Sequence, residues 1–262
     1  MIEVKNITKS FDGKTVLHDI SATFLTGKTN LIIGQSGSGK TVLMKSIVGL
    51  VRPEEGQILY DGRDIMRMSA DQTREIRREI GMLFQGSALF DSETVLGNVK
   101  FPLMMFTKME KEEMEERARF CLHRVNLDGA ENKYPSEISG GMQKRVAIAR
   151  AIALNPKYLF CDEPNSGLDP KTSIVIDELL SDITHEYNMT TIVNTHDMNS
   201  VLGIGENIVF IEKGRNAWMG DNRTIFKSTN QSLNDFVFAT HLFQEVKNYL
   251  ELNEFKDNEE RK

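Results

Sequence analysis

The sequence is short of the features that would take it out of ordinary globular chemistry. It has two cysteines, Cys121 and Cys161, in 262 residues, too few for a disulfide framework. Cys161 closes the apolar run Tyr158-Leu159-Phe160-Cys161, which predicts a buried strand, so reduced thiols in a reducing compartment are expected. No apolar run approaches the ~20 residues that cross a bilayer. The opening Met1-Ile2-Glu3-Val4-Lys5 has no basic segment followed by an apolar core, so no secretory signal is expected. Positive charge is not in excess either: 32 Lys and Arg against 38 Asp and Glu give a formal net charge of −6. Broad binding to nucleic acid or anionic lipid needs a basic face, so no nucleic-acid partner is expected, with a local basic patch left open. There is no internal repeat. These absences leave a soluble, cytoplasmic chain whose membrane role would have to come through a partner.

What is present is an alternation of short β-rich runs and helical stretches. Residues 2–7, 16–24 and 29–33 read as strands, with Asp12-Gly13-Lys14 as a hairpin turn. A helix is expected over 41–50, a hairpin strand at Ile58-Leu59-Tyr60 and a further strand over 80–84. From 86 to 155 the pattern turns helical, with Met114, Ala118, Cys121 and Leu122 on one face of 111–124. Strands return at 158–162, 190–194 and 208–211 around a helix at 171–187. Strand–helix–strand alternation predicts an α/β fold on a mostly parallel sheet, with an antiparallel β subdomain and an inserted helical subdomain. The implied division is a core of 1–85 and 156–220, a helical insertion of 86–155, and a C-terminal extension of 221–262. Residues 233–252 carry Phe236, Ala239, Phe243, Val246 and Leu250 at helical spacing, one amphipathic helix. It either packs on its own domain or braces a second subunit.

Gly34-Gln35-Ser36-Gly37-Ser38-Gly39-Lys40-Thr41 satisfies G-x-x-x-x-G-K-[ST] after a strand and before a helix. Glycines let successive backbone N–H groups turn inward on phosphates, and the helix aims its positive end at the same point. Lys40 would pair with the β- and γ-phosphates of ATP, and the Thr41 hydroxyl would ligate Mg²⁺. A second metal carboxylate is needed at a neighbouring strand end, and Asp162 supplies it, directly or through water. Glu163 follows as general base or water-orienting group. Ser139-Gly140-Gly141 opens another helix. By itself it is an ordinary N-cap or a second phosphate cradle.

The order of these segments, with Gln85 after a strand, Ser166-Gly167-Leu168-Asp169 and His196, resembles the nucleotide-binding subunit of ATP-binding cassette (ABC) transporters over residues 1–220. The resemblance implies that Phe11 stacks on adenine, that Gln85 senses Mg²⁺ and the attacking water, that Asp169 communicates across a dimer, and that His196 contacts the γ-phosphate. It also implies a homodimer in which the Ser139 cradle of one copy closes over the ATP held by the other. Met142 stands where many members carry glutamine, and Asn165 where threonine is usual. The stretches 84–92 and 139–147 are similar to the branch that moves phospholipid between bacterial envelope membranes. That branch implies a membrane permease at the inner face of the cell membrane, with lipid-binding and small accessory subunits. Small-solute importers share the Ser-Gly-Gly-Met signature, and soluble non-transport ATPases share the cassette. The apolar block 99–106 belongs either to the helical core or to a groove for a permease helix.

Overall fold

The computed structural model describes residues 1–240 and 243–247. The chain opens with β1 (Ile2–Phe11) and β2 (Lys14–Phe24), a hairpin closed where Phe11 pairs with Lys14. β3 (Lys28–Ile33) enters a second sheet and leads through the glycine-rich turn into α1 (Lys40–Val48). β4 (Glu55–Tyr60) and β5 (Arg63–Asp64) return to the first sheet, which is antiparallel in the order β2-β1-β4-β5. α2 (Ala70–Arg78) precedes β6 (Ile80–Leu83). Three mutually packed helices follow: α3 (Val95–Phe106), α4 (Lys111–Arg124) and α5 (Gly140–Ile152). β7 (Tyr158–Asp162), α6 (Pro170–Glu186), β8 (Thr190–Asn194), α7 (Met198–Ile204), β9 (Asn207–Glu212), β10 (Arg215–Gly220) and α8 (Gln231–Val237) follow.

The second sheet runs β10-β9-β3-β8-β7-β6 and is parallel except where β10 pairs with β9. Its central strands are buried on both faces, which is why they read as unbroken apolar runs instead of alternating ones. The strand period of two still shows in what each side chain meets. Leu31, Ile33, Leu159, Cys161 and Val193 belong to the core shared with the helical insertion. Ile32, Phe160 and Ile192 face the other way, onto Ile2, Phe24, Leu43 and Ile58 between the sheets. Both cysteines are buried and free; burial pushes the Cys121 thiol up to about 11 and raises that of Cys161 as well.

The expected strands and most helices are present, with ends shifted by a few residues. α2, α7 and β10 extend the pattern beyond the expectation. α2 escaped a hydrophobic reading because only Ile76 of its residues is buried; a Ser69–Gln72 capping box starts it. The C-terminal amphipathic helix is interrupted. α8 ends at Val237; the ring of its C-cap, Phe238, turns into the core against Phe226 at 5.6 Å, and helix resumes within 243–247. Leu250 and the tail 253–262 lie outside the described residues. Within the block 99–106, Val99 and Leu103 are core, whereas Met104 and Met105 face outward.

The break makes an energetic distinction that one continuous helix would not. Phe238 is 4% exposed and Val246 is 38% exposed. Phe238→Ala is expected to lower unfolding free energy by about 3 kcal/mol, and Val246→Ala by under about 0.5 kcal/mol. Urea denaturation of the two variants checks this; a loss at Val246 as large as that at Phe238 would place Val246 in the core.

Candidate nucleotide site

The carboxyl ends of β3, β8 and β7 lie side by side: Ile32 pairs with Asn194, and Asn194 with Asp162. In open α/β sheets this edge is where ligands bind. The turn leaving β3 is backbone-tight. Gly34 has φ of 149°, and a Cβ there would fall 2.2 Å from the Ile211 carbonyl oxygen. Gly39 has φ of 107°, and its Cβ would fall 2.9 Å from Leu17 Cδ2. Gly39 is also the N-cap of α1 and carries no side chain to satisfy the first-turn N–H groups, so these donors and the helix's positive end are free for an anion. Lys40 Nζ reaches over the loop and donates to the carbonyls of Gly34 at 2.8 Å and Gln35 at 3.1 Å. Burial lowers the Lys40 pKa, and the nearby Glu163 and Asp162 carboxylates oppose that shift.

These groups border a cavity of about 780 Å³ lined by Gln35, Ser36, Gly37, Gly39, Lys40 and Thr41 together with Gln85, Glu163 and His196. Asn194, which the sequence reading did not single out, joins the acidic side to the phosphate loop. Its Nδ2 donates to Asp162 Oδ1 at 2.5 Å and to Thr41 Oγ1 at 3.3 Å. Only its register opposite Asp162 could have marked it, and register is not readable from one strand. Two buried polar atoms here lack a hydrogen-bond partner, Ser38 Oγ and Asn194 Oδ1. An orphaned buried oxygen carries a desolvation penalty unless something else meets it. Oxygen-rich surroundings of a carboxylate, a hydroxyl and backbone N–H groups fit a Mg²⁺–phosphate group, with Thr41, Asp162 and Gln85 as the candidate metal side.

Glu163 departs from β7 in a left-handed conformation, φ 49°, a strain of roughly 1–2 kcal/mol for a residue with a Cβ. Its N–H donates to the Asn194 carbonyl at 2.9 Å, and its carboxylate meets His196 Nδ1 at 2.8–2.9 Å. The acid and the histidine are therefore one unit at the cavity wall. Gln85 lies in a loop gripped from α5. Lys144 donates to the Gln85 carbonyl, and Arg150 donates to those of Ser87 and Ala88, each at 2.7 Å. Ser87 and Ala88 both have positive φ, 60° and 48°. Lys144 entered the sequence reading only within the stretch 139–147 that carries the resemblance, and Arg150 did not enter it; the grip of either on this loop is visible only in the fold.

Other anticipated groups stand apart from the cavity. Phe11 sits at the β1–β2 turn, 43% exposed, with Lys9 Nζ 4.9 Å from its ring centre; Val16 is the nearer apolar wall. Ser139 caps α5, accepting from Met142 N–H at 3.3 Å, and neither it nor Gly140 nor Gly141 lines the cavity. Gly141 abuts α6, where a Cβ would come 2.6 Å from Thr172 Cγ2. Asp169 caps α6, and hydrogen bonds from the Thr172 hydroxyl and N–H hold its carboxyl below the usual range. The cradle and Asp169 thus form a neighbouring exposed surface.

A phosphate loop facing an acid pair and a histidine at adjoining strand ends defines a nucleoside-triphosphate hydrolase. The chain belongs to the ABC transporter family, whose sequence pattern matches residues 17–166. It is 38% identical over 236 residues, 90% of its length and 68% of the relative's, to the probable ribonucleotide transport ATP-binding protein mkl of Mycobacterium leprae. It is 41% identical over 231 residues, 87% of its length and 62% of the relative's, to the methionine import ATP-binding protein MetN of Corynebacterium jeikeium. It therefore spans about two-thirds of such curated relatives. The ATP-binding cassette MJ0796, solved as a dimer in a post-hydrolysis state bound to ADP and Pi, superposes with a TM-score of 0.77 at 35% identity. That match covers 85% of this chain and 99% of MJ0796. The protein is an ATPase that uses ATP with Mg²⁺.

Glu163→Gln removes the ionisable group but keeps the side chain's shape. It is expected to lower ATP turnover by about 10²–10⁴-fold while leaving nucleotide binding in place, measured by phosphate release and by binding of a fluorescent ATP analogue. Near-normal turnover in this variant would remove Glu163 from the chemistry.

Proposed function

We propose that two copies of this chain sandwich two Mg·ATP, each between the phosphate loop of one copy and the Ser139–Gly141 cradle of the other. Closure then drives a membrane permease, and hydrolysis at Glu163 resets it. The roles are those of the sequence reading: Phe11 against the base, residues 34–41 on the phosphates, Gln85 with Thr41 and Asp162 at the metal, His196 at the γ-phosphate and Asp169 across the dimer. Support for the sandwich comes from the cradle's position, exposed at a helix N-terminus and outside its own chain's cavity. The division into core 1–85 with 156–220, helical insertion 86–155 and extension 221–262 belongs to this reading.

The observation that carries the permease part is an apolar groove of about 420 Å³. Met82, Phe84, Phe90, Phe101, Pro102 and Phe106 line it, with Arg77 and Arg150 at its edge. Phe90 and Phe101 meet at 4.5 Å between ring centres, and Gln85 follows Phe84 directly. An amphipathic permease helix seated there would press on the loop that reaches the nucleotide. Among the described residues no helix is long and apolar enough to cross a membrane, so attachment at the cytoplasmic face of the inner membrane would run through this groove.

The cargo we favour is phospholipid, with lipid-binding and small accessory subunits as partners, on the resemblance carried by residues 84–92 and 139–147. Its rival is a small-solute importer, favoured by the likeness to a methionine import protein. Affinity capture from detergent-solubilised membranes, with mass spectrometry of proteins and lipids, separates them: a permease bearing phospholipid supports the first, and a solute permease overturns it. Met105 lies outside the groove lining and Phe106 within it, so Phe106 is the probe. Phe106→Glu is expected to cut permease recovery at least fivefold with ATPase activity within twofold of the parent. A parallel fall in solubility and ATPase would assign Phe106 to the core.

A further inference from the structure

Asp177 is a buried carboxylate that the chemistry above leaves unused. It lies on α6, and its Oδ1 accepts a hydrogen bond from Asn165 Nδ2 at 2.9 Å. The same Nδ2 donates to Ser200 Oγ at 3.0 Å, which sets the Ser200 hydroxyl beside the Asp177 carboxylate. All three side chains are buried, Ser200 completely. Asn165 follows Glu163 by two residues. Ser200 stands on α7, four residues after His196. The Asn165 amide therefore ties together the two segments that present the paired Glu163 and His196, and the Asp177 carboxylate holds that amide.

We propose that Asp177, acting through Asn165 and Ser200, is the positioning residue that holds Glu163 in its left-handed conformation against His196. A backbone strained at one residue persists only where its surroundings over-determine it. Glu163 is held from behind by the Asn194 carbonyl and from ahead by Ser166 N–H, which donates to the Glu163 carbonyl at 3.1 Å. Between Glu163 and Asp169, Ser166 and Gly167 are exposed, Leu168 packs partly against the core, and Pro164 and Asn165 are buried, so Asn165 is the turn's buried polar anchor. Burial pushes the Asp177 carboxyl up to about 6, with Asp197 and Glu178 adding to the rise and the Ser200 and Asn165 hydrogen bonds opposing it. Burial thus works against the ionised form, and stability alone would not favour an acid here. The asparagine that replaces the more usual threonine at 165 is what reaches both partners from one amide.

The inference rests on the role given to Glu163 and predicts a loss confined to turnover. In the full chain with saturating Mg·ATP, Asp177→Leu is expected to lower kcat at least tenfold while Kd for a fluorescent ATP analogue stays within twofold. Asp177→Asn should restore kcat to within threefold of the parent. Its side-chain oxygen still accepts, and its amide gains the otherwise unpartnered Asn165 Oδ1. If Asp177→Leu does not fold, Ser200→Ala makes the same test, with kcat down about threefold to tenfold and Kd unchanged. An unchanged kcat, or a fall in kcat accompanied by a comparable rise in Kd, overturns the proposal. An active Glu163→Gln would instead bring down the reading of Glu163 on which it stands.

Discussion

The parallel register of β3, β8 and β7 is the constraint on which the nucleotide site depends. Parallel strands end on the same side of a sheet, so the phosphate loop, Asn194 and the acid pair leave the sheet together although they are far apart in sequence. The register sets Asn194 between Ile32 and Asp162, which is why one amide reaches both Asp162 and Thr41. Burial on both faces makes that register stiff, since a one-residue slip would turn every side chain to the wrong core. Buried polar groups inside the sheet show the same economy. Asn30 Nδ2 donates to three carbonyls, those of Leu25, Lys28 and Thr191. Ser38 and Asn194, at the edge, keep orphaned oxygens where a ligand can meet them.

Positive-φ backbone gathers around this edge. Gly34, Gly39, Glu163, Ser87 and Ala88 all take positive φ within the segments that wall or flank the cavity. The three that carry a Cβ are each held from another element, Glu163 by Asn194 and Ser87 and Ala88 by Arg150. Strain that is over-determined in this way fixes geometry more sharply than relaxed backbone would.

The helical insertion is joined to the site by charge as well as by packing. Lys144 and Arg150, both partly desolvated, spend their N–H groups on the carbonyls of the Gln85 loop instead of on carboxylates. The same helix begins at the Ser139 cradle, and the same loop borders the apolar groove. One helix therefore touches the exposed Ser139 surface, the loop at the cavity wall and the apolar groove.

Much of this was legible in the sequence because it is local. The glycine spacing from 34 to 41, the apolar run ending in Asp162-Glu163, the hairpin at Asp12-Gly13 and the Ser139 cap are each written within a few consecutive residues, and backbone chemistry reads such signals without tertiary help. The resemblance of motif order extended that reading to Gln85, Asp169 and His196. Asn194, Lys144, Arg150 and Asp177 were not legible, since their significance comes from partners 32, 59, 62–63 and 12 residues away. Periodicity predicted one helix over 233–252, but burial of Phe238 against Phe226 outweighed it and ended the helix there. The sequence by itself determined the element types and the phosphate-binding chemistry, because propensity, glycine freedom and charge act over a turn or a strand. Only the tertiary structure decided which strand ends meet, which cations grip which loop and which apolar residues stay exposed, because packing and desolvation depend on neighbours the linear order does not name.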